Sequence, residues 1–142
     1  MDLDFNMVGP ALALGLACMG SCVGCCTAGM ASHAAMARVE EGHGKFIGIA
    51  AAPSSQIIYG FILMLLMAKK ILAGTLSPVS AIAIGASSGT AIMFSAIFQG
   101  KVCATGIQAS VKQPSVYGKC FAAVGIIESF ALFAFVFALL IM

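Results

Sequence analysis

The 142-residue chain contains no tryptophan, 4 prolines and 5 acidic residues, and charged residues of both signs make up only 8% of it. So few charges cannot cover a water-soluble surface. Nor does a formal net charge of +2 supply the basic field that nucleic-acid binding requires. With 61% hydrophobic residues and a mean hydropathy of +1.09, the composition is that of a membrane protein. The acids are scarcest where they cost most. Asp2, Asp4, Glu40 and Glu41 lie in the N-terminal part, and Glu128 stands alone in the apolar run "GIIESFALFAFVFALLIM". An acid at the centre of a membrane helix costs roughly 2.5–3.5 kcal/mol, so Glu128 needs a partner, a proton or a function.

Four stretches are long enough to cross a bilayer, at about 6–37, 46–68, 71–100 and 120–142. They predict an all-α membrane protein of two helical hairpins, divided into 1–75 and 76–142. The opening "MDLDF" lacks the basic segment of a cleaved signal, and the apolar run after it is too long for one, so the first span reads as a retained helix. Arg38, Lys45, Lys101, Lys112 and Lys119 gather around the two hairpin loops, against Lys69 and Lys70 at the other ends. This bias predicts cytoplasmic loops and external termini in a cell (inner) membrane.

Six cysteines include a CxxC at Cys22 and Cys25, set between Gly20, Gly24 and Gly29. A zinc site would want more ligands at that depth, and His33 is at least two turns away, so these cysteines read as small packing residues. GxxxG at 20–24 and 85–89 marks the first helix of each hairpin as one that packs closely. Seven of the ten phenylalanines fall in the second helices, which predicts a tight inner layer and a bulky outer one.

The chain also repeats itself. A shift of 74 residues sets "GKFIGIAAAPSSQIIYGFILMLLM" from 44 on "GKCFAAVGIIESFALFAFVFALLI" from 118, and a weaker match at a shift of 70 sets "ALALG" on "AIAIG". In the first register Glu128 falls on Ser54, so one hairpin has the carboxylate and the other lacks it. Folding the chain about Ser77–Pro78 and Gln113–Pro114 brings Gln56, Gln99 and Glu128 to one depth, and Ser55, Gln56 and Tyr59 share a helical patch. A carboxylate, two amide oxygens, a hydroxyl and a phenol suit either an unsolvated Na⁺ or a proton held on Glu128. Pro53, just before the patch, loosens the helix and frees carbonyl oxygen.

The duplicated hairpins, the Gly-rich first helices and the single fourth-helix Glu resemble the 16-kDa-type proteolipid of V-type (V/A-type) rotary ATPases, the c or K subunit. The match covers essentially the whole chain. "PSSQIIYGF", "FQGK" and "IIESF" are similar to the Na⁺-translocating bacterial members. That resemblance implies ligands at Glu128, Gln99, Gln56, Ser55 and the carbonyl of Ala52, with Tyr59 hydrogen-bonded to Glu128. The chain departs at Ser55, where the family has Thr, and at Ala52, where it has a larger apolar residue.

The same resemblance implies a homo-oligomeric ring that carries Na⁺ or H⁺ and has no organic cofactor or catalytic centre of its own. It would turn against a stationary membrane subunit bearing an arginine, among lipids, with the loops 38–45 and 108–119 docked on a central-stalk subunit. Each ion moved down 100 mV would supply about 2.3 kcal/mol. One carboxylate per four helices would mean fewer ions per ATP. A small multidrug transporter also has four helices and a buried Glu, but it would need aromatic residues around an organic cation.

Overall fold

The computed structural model describes residues 5–142; residues 1–4 of "MDLDF" lie outside the described residues. Five α-helices follow in order: α1 (Val8–Met36), α2 (His43–Ala50), α3 (Ser55–Leu72), α4 (Pro78–Lys112) and α5 (Tyr117–Ile141). Two 3-10 turns, Ala52–Ser54 and Pro114–Val116, join α2 to α3 and α4 to α5. Grouped by continuity these make four helices long and apolar enough to cross a membrane: Val8–Met36, His43–Leu72, Pro78–Lys112 and Pro114–Ile141.

Local chemistry sets the element ends. Gly74, at φ 72°, ends α3, with its N–H on Ile71 O and the next N–H, of Thr75, on Lys70 O. That pair of bonds is the left-handed glycine stop that L-residues disfavour. Ser77 then caps α4 by accepting from the Ser80 N–H at 3.1 Å, ahead of Pro78 in the first turn. The third span therefore runs 78–112, not 71–100. Hydropathy carries the early boundary across Ile71 and Leu72, which finish α3, and stops at Lys101, which α4 passes through. Lys101 projects from the helix with Nζ 5.0 Å above the Phe98 ring, so it does not flank a loop. The loops shrink to match: His43–Lys45 begin α2, 108–112 finish α4 and Tyr117–Lys119 begin α5.

The glycines decide how the helices stack. A β carbon on Gly85 would fall 2.1 Å from Gly9 O, and one on Gly100 would fall 2.3 Å from Gly24 O. These contacts run α1 and α4 side by side, in parallel, at a spacing only a bare α carbon allows. Gly60 brings α3 onto α1 in the same way, where an added β carbon would lie 2.4 Å from that of Ala17. By contrast, Gly15 and Gly29 have nothing within 4 Å.

Three apolar clusters fill the bundle. One lies at the loop end around Ile49, Ile107 and Val124, another at the far end around Leu63, Met67 and Ala138, and a small third one of Ala17, Ile92 and Ala131 packs against Tyr59. The expected bulky outer face is present on α5, where Phe130, Phe133 and Phe137 are exposed. However, α4 also exposes Phe94 and Phe98, stacked on each other, so the close-packing helices are not free of large aromatics.

Candidate ion site

Between the two larger apolar clusters, α3, α4 and α5 bring their polar side chains together. Glu128 lies at the middle of Tyr117–Ile141. Its Oε1 accepts two hydrogen bonds, from Ser55 Oγ at 2.6 Å and from Tyr59 OH at 3.1 Å. Among the described residues its Oε2 is approached only by Gln99 Nε2, at 3.5 Å, the far limit of a hydrogen bond. Gln56 Nε2 donates to Gln99 Oε1 at 2.8 Å, and Gln99 Nε2 also reaches Val124 O at 3.3 Å. All the side chains expected at this depth thus meet in one network, and the Ala52 carbonyl joins it through Ser55 Oγ at 3.0 Å.

The network has a floor and a mouth. Gln56 and Gln99 are fully buried, whereas Glu128, Ser55 and Tyr59 are partly exposed on the outer face of the bundle. Tyr59 stacks on Phe135 with ring centres 5.8 Å apart, which holds the phenol over the carboxylate. Ser55 and Tyr59 share the Glu128 side of α3, while Gln56 turns inward to Gln99. The single helical patch expected from the sequence is therefore two patches. Ser54, the counterpart of Glu128 in the repeat, is exposed and bonds back to Ala51 O at 2.7 Å.

Pro53 explains why Ala52 and Ser55 are placed as they are. Proline has no N–H to continue the ladder, and the chain tightens into the 3-10 turn Ala52–Ser54 before α3 restarts at Ser55. Ser55 has one hydroxyl proton and two acceptors in reach, Glu128 Oε1 and Ala52 O. Turning that proton from the carboxylate to the carbonyl exposes a hydroxyl lone pair beside Glu128.

Two features point to chemistry beyond helix packing. Gln56 Oε1 is buried and has no hydrogen-bond partner among the described residues, although its own Nε2 is satisfied. An unpaired buried amide oxygen is unfavourable by about 1–3 kcal/mol unless something occupies its lone pairs. The donor set is one carboxylate among neutral oxygens, hard ligands of the kind that can hold a cation or a proton. One supporting residue lies outside the set expected from the sequence: Ser95 Oγ donates to Ile127 O at 2.8 Å and pins α5 to α4 beside Glu128. Its position four residues before Gln99, on the same helical face, is the signal that could have found it.

The family of the ATP synthase C subunit matches this chain over residues 8–67 and again over 82–141. The chain belongs to that family. Both ends of the second match are displaced by 74 residues from those of the first, the same shift at which the sequence repeats. The chain is also similar to the A-type ATP synthase subunit K of Methanocaldococcus jannaschii, 30% identical over 140 residues. That alignment takes in 99% of this chain and 62% of the relative, so the chain spans less than two thirds of that protein's length. Membership in this family displaces the multidrug-transporter reading.

Proposed function

We propose that the chain is the rotor-ring proteolipid of a V/A-type ATPase and carries Na⁺ on Glu128. The observation that carries the choice of ion is Gln56 Oε1, a buried amide oxygen with nothing bonded to it in the same network as Glu128. A proton on Glu128 would make no use of that oxygen; a small cation would coordinate one of its two lone pairs. The ligand set would be Glu128, Gln99 Oε1, Gln56 Oε1, Ser55 Oγ and the Ala52 carbonyl, with Tyr59 holding the carboxylate.

The chemistry of carriage follows from charge. A bare carboxylate on an outward face meets lipid at high cost, and a bound cation or proton makes the site neutral. As the ring turned, a neutral site would pass through lipid. Beside a stator arginine the carboxylate would gain a fixed counter-charge and release its ion. The chain would itself catalyse nothing; its work would be to couple ion passage to rotation, with the ATP chemistry elsewhere in the complex. The loops 38–42 and 113–116 would face the cytoplasm and the central stalk. Lys101 lies within α4 and gives that orientation no support; Arg38, Lys45, Lys112 and Lys119 still outnumber Lys69 and Lys70.

Carbodiimide labelling of Glu128 in the membrane-embedded protein tests the proposal. Na⁺ should suppress labelling, and more Na⁺ should be needed as the pH falls, because protons and Na⁺ compete for one carboxylate. Labelling that follows pH and ignores Na⁺ would keep the rotor and make it a proton carrier. Absence of labelling at any pH would remove Glu128 from the mechanism.

A further inference from the structure

Three buried side-chain oxygens among the described residues lack a hydrogen-bond partner: Gln56 Oε1, Ser21 Oγ and Ser32 Oγ. Other hydroxyls in these helices turn back onto their own backbone, as Ser88 does to Ile84 O, Ser110 to Gly106 O and Thr27 to Val23 O. Ser21 does not, although at 1% exposure it has no access to solvent. Its hydroxyl is therefore directed into the bundle.

The glycine contacts show what it faces. Where α1 meets α3, Ala17 lies against Gly60 and Gly24 against the Pro53 side chain. Ser21 is four residues after Ala17 and three before Gly24. Gln56 is four residues before Gly60 and three after Pro53. On antiparallel helices these spacings put both side chains on the facing surfaces at the same level. The two unpartnered atoms, a hydroxyl that can donate and an amide oxygen that can accept, thus confront each other across one interface. Ser32 is eleven residues farther along α1, roughly 16 Å, and cannot serve Gln56.

We infer that Ser21 is a positioning residue of the ion site, supplied by the one spanning helix that contributes no ligand. Neither atom has a direct partner, so the hydroxyl reaches Gln56 Oε1 through a single buried water and fixes which way the amide points. An amide oxygen has two lone pairs. With the water held by Ser21 on one of them, the other is aimed at the cation while Nε2 stays on Gln99. Without Ser21 the amide can rotate, and the site loses an oriented ligand without losing a residue that touches the ion. This inference rests on the cation reading of Glu128 only for its effect on affinity; the Ser21–Gln56 contact stands apart from it.

The test uses the full chain in membranes or detergent and two readouts. Ser21→Ala should raise the Na⁺ concentration that half-protects Glu128 from carbodiimide about fivefold. It should leave the pH dependence of labelling in Na⁺-free buffer where it was. In thermal unfolding, Ser21→Ala should lower the midpoint in the native background and add nothing to Gln56→Leu, whereas Ser32→Ala should shift both backgrounds equally. Additive shifts for Ser21 and Gln56 overturn the contact. A coupled pair with unchanged Na⁺ protection, in a protein that Na⁺ does protect, overturns the positioning role. If Na⁺ never protects the unmodified protein, the cation reading fails separately, and the thermal cycle alone decides whether Ser21 and Gln56 are partners.

Discussion

Glu128 is tolerable at mid-helix because Ser55 and Tyr59 both donate to one of its oxygens and leave the other nearly free. Glu128→Gln keeps the shape and removes the charge, so it should abolish carbodiimide labelling and ion transport while the protein still assembles in the membrane. The two donors should not matter equally. Ser55 is at 2.6 Å and also bridges to Ala52, whereas Tyr59 is at the longer 3.1 Å and reaches no second site oxygen among the described residues. Hydrogen bonds to charged groups contribute about 1.5–3 kcal/mol, less where the site is open. Ser55→Ala should therefore weaken Na⁺ protection about tenfold, and Tyr59→Phe about twofold to threefold. The reverse order, measured by labelling in a Na⁺ titration, would mean that the hydroxyl is not a ligand.

Among the helices, the site depends on how closely α1 and α4 approach. Gly100→Ala would drive a β carbon to 2.3 Å from Gly24 O, one residue from Gln99. Backbone cannot yield as a flexible side chain can, so the helices must separate, at about 1–3 kcal/mol. The expected outcome is a lower unfolding midpoint together with weakened ion protection. Gly29→Ala meets nothing within 4 Å and removes a flexible residue from a helix interior. It should leave the protomer as stable or more stable, by up to about 1 kcal/mol. Differential thermal melts of the two variants separate a spacing role from a merely glycine-rich composition. The break at Pro53 is also a property of a helix: the missing N–H is legible in the sequence, but not that the resulting turn hands Ser55 two acceptors.

The protomer as a unit leaves large apolar areas uncovered. Gly15 lines an open apolar groove on α1 with Val8, Ala11, Leu12, Leu16 and Met19. Lipid would cover such a groove, and so would a second copy in the proposed ring. A bulky residue at a close helix contact breaks it, so Gly15→Leu should leave the protomer's helicity unchanged and lose the oligomer. Native mass measurement in mild detergent checks this. An intact ring in that variant would place the copy-to-copy contact on another face.

Membrane class, the four spanning segments, the duplication and the depth at which Gln56, Gln99 and Glu128 meet can all be read from the chain alone. Each follows from hydropathy, self-similarity or helical rise, which are properties of position along the chain. The end of α3 and start of α4 depend on a left-handed Gly74 and a Ser77 cap, which hydropathy does not register. Direction required the folded bundle: that Gln56 turns inward while Ser55 and Tyr59 turn to Glu128, and that Ser95 braces α5. Which side chains confront one another depends on helix rotation, and that is set by backbone contacts at Gly9, Gly24, Gly60, Gly85 and Gly100 between residues distant in sequence.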